Sequence, residues 1–167
     1  MIRNSDWERV QAAVRACLEP GDCHPVVFGA AVPRQVVSGH VIASELVPLM
    51  WLLNHVAWRY RARVVSRSSG VPLAPRMIMA FTGRRLVIWA ARRGWRPGRV
   101  IGELPGGQIV HVTASGAGSR SRLMVLQLAD GRTVRLHVAA DAVTRLSQAL
   151  AGDIPGPGRA EPEEPVG

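Results

Sequence analysis

The chain has 167 residues, about the size of one domain, and 47% of them are apolar, which is enough to form a hydrophobic core. It carries 21 basic and 12 acidic residues, a formal net charge of +9, and every basic residue is an arginine. The lack of lysine excludes the P-loop and Schiff-base chemistries, because both need a lysine side chain.

The N-terminal residues 1–24 are predicted to form a helix followed by a turn. Ser5 and Glu8 have the spacing of a capping box, and a helix from about residue 6 to residue 18 places its apolar side chains on one face. The first residues are polar and lack an apolar signal core, which predicts a cytoplasmic protein with reduced thiols.

Residues 25–32 predict a first strand, and an inserted helix is predicted after it, within about residues 41–63. The apolar segment 41–58 is interpreted as an amphipathic helix, whose polar face carries Glu45, Pro48, His55 and Arg59. It is not expected to span a bilayer, because Glu45 in the hydrocarbon would cost roughly 2–3 kcal/mol. Its apolar face, which also carries Val56, Ala57 and Tyr60, is expected to pack on the domain itself or on a second copy. The predicted apolar interface consists of Leu46, Leu49, Met50, Leu53 and Trp58.

The second half of the chain predicts short strands separated by turn residues. Asp130-Gly131 indicates a hairpin, since this dipeptide accepts positive φ, and a helix is expected from Asp141. The residues from 152 to 167 are rich in Pro, Gly and Glu and predict a solvated tail. The predicted strands are 77–81, 86–91, 100–104, 109–114, 123–128 and 133–138.

This order of elements resembles the small pleckstrin-homology-like (PH-like) domains of bacteria over residues 76–151. The resemblance is carried by the turn and strand at 82–89, the strand end at 101–105, the Asp130-Gly131 hairpin and the final helix. It implies a mainly β fold with helices (α+β), in which a seven-stranded antiparallel bent barrel over residues 25–151 is capped by the C-terminal helix. It also implies that loops at one rim bind phosphoinositide head groups or proteins.

Acid–base catalysis needs carboxylates or histidines that lie together. Glu45 and Glu103 are the only acids between Asp22 and Asp130, so the sequence predicts a protein that is not an enzyme. Cys17, Cys23 and His24 match no standard metal-ligand spacing. No metal or cofactor is therefore predicted; Cys17 is expected to be buried, and His111 and His137 to lie on the wet face of the strands.

Charge is the most distinctive feature of the sequence. Eleven arginines and no acid occur from Arg59 to Arg99. Arginines attract phosphates by charge and by paired hydrogen bonds. The predicted binding residues are Arg59, Arg61 and Arg63 after the amphipathic helix, and Arg92, Arg93, Trp95, Arg96 and Arg99 in a later loop.

Several functions fit this pattern. The arginines are predicted to capture a protein partner or an anionic membrane surface, which would make the cytoplasmic protein peripheral at the membrane. Self-association through the 41–58 helix and weak nucleic-acid binding through the basic face are the alternatives, and the second is disfavoured by the 5% aromatic content. A basic surface that contacts only solvent and binds no partner would have the same content of arginine.

Overall fold

The computed structural model describes residues 4–22, 25–33, 47–115 and 121–152. It combines three helices with seven strands, as the sequence predicts for an α+β chain. The helices are α1 (Asn4–Ala16), α2 (Val47–Ser69) and α3 (Ala140–Leu150). The strands are β1 (Val26–Ala31), β2 (Arg76–Phe81), β3 (Arg85–Ala91), β4 (Pro97–Pro105), β5 (Ile109–Ser115), β6 (Ser121–Leu128) and β7 (Thr133–Ala139).

The seven strands form one antiparallel sheet in the order β4-β3-β2-β1-β7-β6-β5. The sheet is not a closed barrel, because β4 and β5 end it on its two sides and are not paired with each other. Between them the chain turns through the short helical segment Gly106–Gln108, which directs the two strands into different halves of the sheet.

Strand β1 joins the two halves of the sheet. It pairs with β2 along its whole length, from Val26 to Ala31, but with β7 only at Ala30 and Ala31. The β6–β7 hairpin contains the predicted Asp130-Gly131 turn, and Gly131 adopts the positive φ of 81° that this turn requires.

The main core lies between the inner face of the sheet and helix α3. Alternate residues of β7, Val134, Leu136 and Val138, point inward, and Leu146 of α3 packs among them. The helix contacts β1, β5, β6 and β7, so it covers the side of the sheet that the incomplete barrel leaves open. Gly152, with a φ of 80°, follows the end of this helix.

A second, smaller core covers the outer face of the first half of the sheet. Val10 and Val14 of α1 pack against Ile78 and Trp89 in this cluster. Since α1 covers one face of β2 and the main core covers the other, the apolar run of this strand has no solvent-facing side. The helix begins two residues before the predicted start, so Ser5 lies inside it and is not its N-cap.

The second half of α2 docks on the sheet. Trp58 and Ala62 are buried, and the indole Nε1–H of Trp58 donates a 2.9 Å hydrogen bond to the carbonyl of Val32. The guanidinium of Arg76 lies 5.6 Å from the centre of the Trp58 ring, within the range of a cation–π contact. The helix continues to Ser69, beyond the end near residue 63 that the sequence predicts.

Of the two packings expected for the apolar face of α2, packing on the domain itself is wrong. Leu53, Val56 and Tyr60 are exposed, while the docked side carries His55, which was assigned to the polar face, together with Trp58. Apolar residues occur all round this helix, so its periodicity does not decide which side is buried. The hydrogen bond of Trp58 and the small side chain of Ala62 at the contact fit the observed side.

The second core is expected to contribute measurably to stability. Val14→Ala removes fully buried methyl groups and should lower the free energy of unfolding by about 1–2 kcal/mol. Val64→Ala makes the same change on the exposed side of α2 and should be close to neutral. Chemical denaturation measures both variants, and equal losses would contradict the packing of α1 on the sheet.

Candidate functional site

One end of the first half of the sheet carries most of the predicted binding loop. Strand β1 ends there at Ala31, which is opposite Arg76, the first residue of β2. Strand β3 ends at the same edge, and the chain then turns through the short helical segment Arg93–Trp95 into β4. We call this end of the sheet, where β1 and β3 finish and β2 begins, the arginine rim. Its exposed basic side chains are Arg76, Arg92, Arg93, Arg96 and Arg99.

The turn at the rim is held by its own backbone. The amide of Arg92 donates to the carbonyl of Arg96 over 2.9 Å, and the amide of Trp95 donates to the carbonyl of Arg92 over 3.1 Å. Gly94 and Trp95 both adopt positive φ, 76° and 58° respectively. The turn therefore presents its arginines from a defined backbone, although it is shorter than the loop predicted from the sequence.

Trp95 does not point into solvent. Its half-buried ring packs against the second core, and an added Cβ at Gly29 would lie 2.9 Å from the ring. Glycine at position 29 therefore leaves the space that the indole fills. This packing fixes the turn to β1 and leaves the neighbouring arginines exposed.

The rim arginines form no ion pair with any carboxylate in the described parts of the chain. Arg76 was not among the predicted binding residues, because it begins a strand whose position relative to the later loop depends on pairing.

A shallow groove beside Arg76 is lined by Trp58, Ser121 and His137. His137 is exposed, as predicted, and so is His111.

Carboxylates gather instead at the opposite end of β3. Arg85 lies 2.7 Å from Asp22, 2.9 Å from Glu103 and 3.1 Å from Glu19. These four residues form the Arg85 cluster, which ties the segment after α1 to strands β3 and β4. Sequence reasoning missed this cluster because its members are up to 84 positions apart in the chain.

The Arg85 cluster changes the acidity of its most enclosed carboxyl group. The hydrogen bond from Arg85 holds the pKa of Asp22 below its usual range, with further help from Thr82 and from the backbone amide of Glu19. The same contacts raise the pKa of Arg85, first through Asp22. Asp22 is thus a charged structural group, as expected for a carboxylate that accepts several hydrogen bonds.

The other ion pairs of the described residues are local. Asp130 pairs with Arg132 beside the hairpin turn, and Asp141 pairs with Arg145 one turn later in α3. The positive charges are therefore unevenly compensated: the Arg85 cluster holds three acids, whereas the arginine rim has none paired to it.

The arginines of α2 continue the basic surface. Arg59 and Arg63 are exposed, and Arg61 is half-buried.

The residues of the predicted apolar interface differ in exposure. Met50 is half-buried, Leu53 is exposed and Trp58 is buried against the domain. Leu49 lies in the first turn of α2, its side chain outside the described part, and Leu46 lies outside the described residues.

The described residues contain no group of three or more His, Cys, Asp or Glu side chains that could hold a metal ion. Cys17 is exposed, which corrects the prediction that it is buried, and Cys23 and His24 lie outside the described residues. Among the described helices, none has both the length and the apolar character needed to cross a membrane.

No protein-family model matches the chain, and no curated protein matches it significantly.

The lowered pKa of Asp22 makes a prediction about acid stability. A carboxyl group with a depressed folded-state pKa stabilises the fold above its unfolded pKa, about 3.9, and loses this effect as the pH falls through the folded-state value. Asp22→Asn should therefore lower the melting temperature at pH 7, and the difference from wild type should shrink below about pH 4.

Melting curves between pH 2 and pH 7 measure this difference. In an Arg85→Ala background the Asp22→Asn substitution should lose most of its pH dependence, because the main partner of the carboxylate is gone. A difference that stays constant at every pH would contradict the assignment.

The packing of Trp95 predicts a structural role for this residue. Trp95→Ala should lower the free energy of unfolding by about 2 kcal/mol, less than for a fully buried tryptophan, because the ring is half-buried. Arg96→Ala, an exposed neighbour, should change stability by less than about 0.5 kcal/mol. Denaturation of the two variants tests the difference, and a neutral Trp95→Ala would mean that the ring is free.

Proposed function

We propose that this protein is a non-catalytic binding domain that docks on an anionic membrane surface through the arginine rim. The observation that carries the proposal is the concentration of exposed arginines at one edge without a paired carboxylate in the described residues. Near an anionic bilayer each such arginine adds about 1 kcal/mol of attraction. The five rim arginines are therefore enough for reversible electrostatic capture.

The geometry of the rim favours phosphate groups as ligands. Guanidinium groups form paired hydrogen bonds with phosphate oxygens, and the ordered turn at Arg92–Arg96 reduces the entropy lost when they bind. Nucleic acid is supported less well at the turn, because single-strand binding uses exposed aromatic rings, and the ring within the turn, Trp95, is packed against Gly29. A lipid surface needs no such ring.

The proposal includes a PH-like fold assignment. It is supported by the succession of seven antiparallel strands, by the position of α3 directly after β7, and by the sheet order in which β1 joins two halves. Three of the five rim arginines, Arg92, Arg93 and Arg96, lie in the loop between β3 and β4, and α2 belongs to the segment between β1 and β2. Both segments emerge at the same edge of the sheet, where a ligand can contact them together.

A non-catalytic role is supported by what the carboxylates do. Glu19, Asp22 and Glu103 are paired to Arg85, and Asp22 is held in its charged form. These groups are engaged in holding elements of the fold together, which leaves them poorly placed for proton transfer.

Vesicle sedimentation tests the proposal. Wild-type protein should bind vesicles that contain 30% phosphatidylglycerol at low salt, and binding should fall steeply as salt is raised. The triple variant Arg92→Gln, Arg93→Gln, Arg96→Gln removes three rim charges and should weaken binding by about a hundredfold, at about 1 kcal/mol each.

A matched control removes the same charge elsewhere. Arg15, Arg84 and Arg135 are exposed and lie on α1, in the β2–β3 turn and on β7. Their simultaneous change to Gln should weaken binding much less. Equal losses in the two triple variants would show a general effect of net charge, and absence of wild-type binding at low salt would overturn the proposal.

A further inference from the structure

The outer side of α2 is an exposed apolar surface. Leu52, Leu53, Val56, Tyr60 and Val64 all have at least 46% of their surface in contact with solvent. They follow one another at helical spacing on the side opposite Trp58 and Ala62, which are buried. We call this surface the outer face of α2. A contiguous apolar surface of this kind usually marks an interaction site.

The first half of α2 extends past the edge of the sheet. Trp51 lies two helical turns before Trp58 on the same side, yet it is 69% exposed whereas Trp58 is 8% exposed. His55 lies between them, stacked on Trp51 with ring centres 5.6 Å apart. Because Trp58 sits beside Val32 and Arg76, the helix leaves the sheet at the arginine rim.

The charge of the helix decides what its outer face contacts. Helix α2 contains four arginines and no acidic residue. A contact between the outer faces of two copies would bring arginines of both helices into one interface without a carboxylate from α2 to compensate them. An anionic lipid surface supplies apolar chains and phosphate groups together, so it satisfies both features of the helix.

We infer that the outer face of α2 inserts among the lipid chains of an anionic membrane while its arginines bind the phosphate groups. The inference rests on the proposed function and names the element that penetrates the bilayer. Leu53 and Val56 supply the apolar contact in the projecting half, Tyr60 continues it, and Arg63 and Arg67 follow on the same side after Tyr60, one and two turns later. The apolar side chains precede the arginines along this face, so the first can reach the lipid chains while the arginines stay at the head groups.

A tryptophan on the outer face provides a direct readout of insertion. Of the five native tryptophans only Trp51 is exposed, and it lies on the side of Trp58. The double variant Trp51→Phe/Leu53→Trp therefore moves the exposed indole to the outer face. Phosphatidylglycerol vesicles with bromine at the upper acyl carbons should quench the emission of this variant more than that of Trp51→Phe alone.

A matched pair of substitutions tests the energetic role of the outer face. Val56 and Val110 are 55% and 61% exposed, and Val110 lies on the edge strand β5 away from α2. Val56→Ser combined with Leu53→Ser should weaken binding to phosphatidylglycerol vesicles by about tenfold, whereas Val110→Ser should leave it within about twofold. Melting temperatures near wild type confirm that the variants are folded.

The outcomes separate the two proposals. If wild-type protein binds anionic vesicles, but the Leu53→Ser/Val56→Ser variant binds equally well and bromine quenches Trp51→Phe/Leu53→Trp no more than Trp51→Phe, the insertion of α2 is wrong and the arginine rim alone accounts for capture. If light scattering shows a wild-type dimer that this variant dissolves, the outer face is covered by a second copy and the inference is overturned. If the wild-type protein binds no anionic vesicle, both proposals fail.

Discussion

The pairing of β1 with two neighbours is the constraint on which the rest of the structure depends. Ala30 and Ala31 are the only residues of β1 that pair with β7, while the whole strand pairs with β2. This short junction lets the two halves of the sheet diverge, and α3 fills the space that they enclose. It also places the end of β1, the start of β2 and the end of β3 at one edge, so segments distant in sequence meet at the arginine rim.

Paired and unpaired arginines lie at opposite ends of strand β3. At its first residue, Arg85 gathers three carboxylates from the N-terminal segment and from β4. At its other end the chain enters a turn whose arginines have no paired acid within the described residues. A net charge of +9 could be spread evenly over a surface, but pairing at one end concentrates the uncompensated part at the other.

Local patterns predicted the strands and the hairpin, whereas tertiary contacts determined what the sequence analysis missed. Alternation in β7 and the Asp130-Gly131 dipeptide specify structure within a few residues, and both are found where expected. No local pattern determines whether the sheet closes into a barrel, because closure depends on whether two edge strands meet. Arg76 and the Arg85 cluster were missed for a related reason, since their neighbours are set by pairing between distant segments.

The buried side of α2 was the least predictable feature, and it bears most directly on function. The helix has apolar residues on every side, so either side satisfies a hydrophobic pattern. The side with Trp58 contacts the sheet through an indole donor, a carbonyl acceptor on Val32 and a small residue at Ala62, and none of these depends on periodicity. The apolar residues left over then remain in solvent beside arginines. The two halves of this helix therefore differ, since the second half contributes to the core whereas the side chains of the first half are largely exposed.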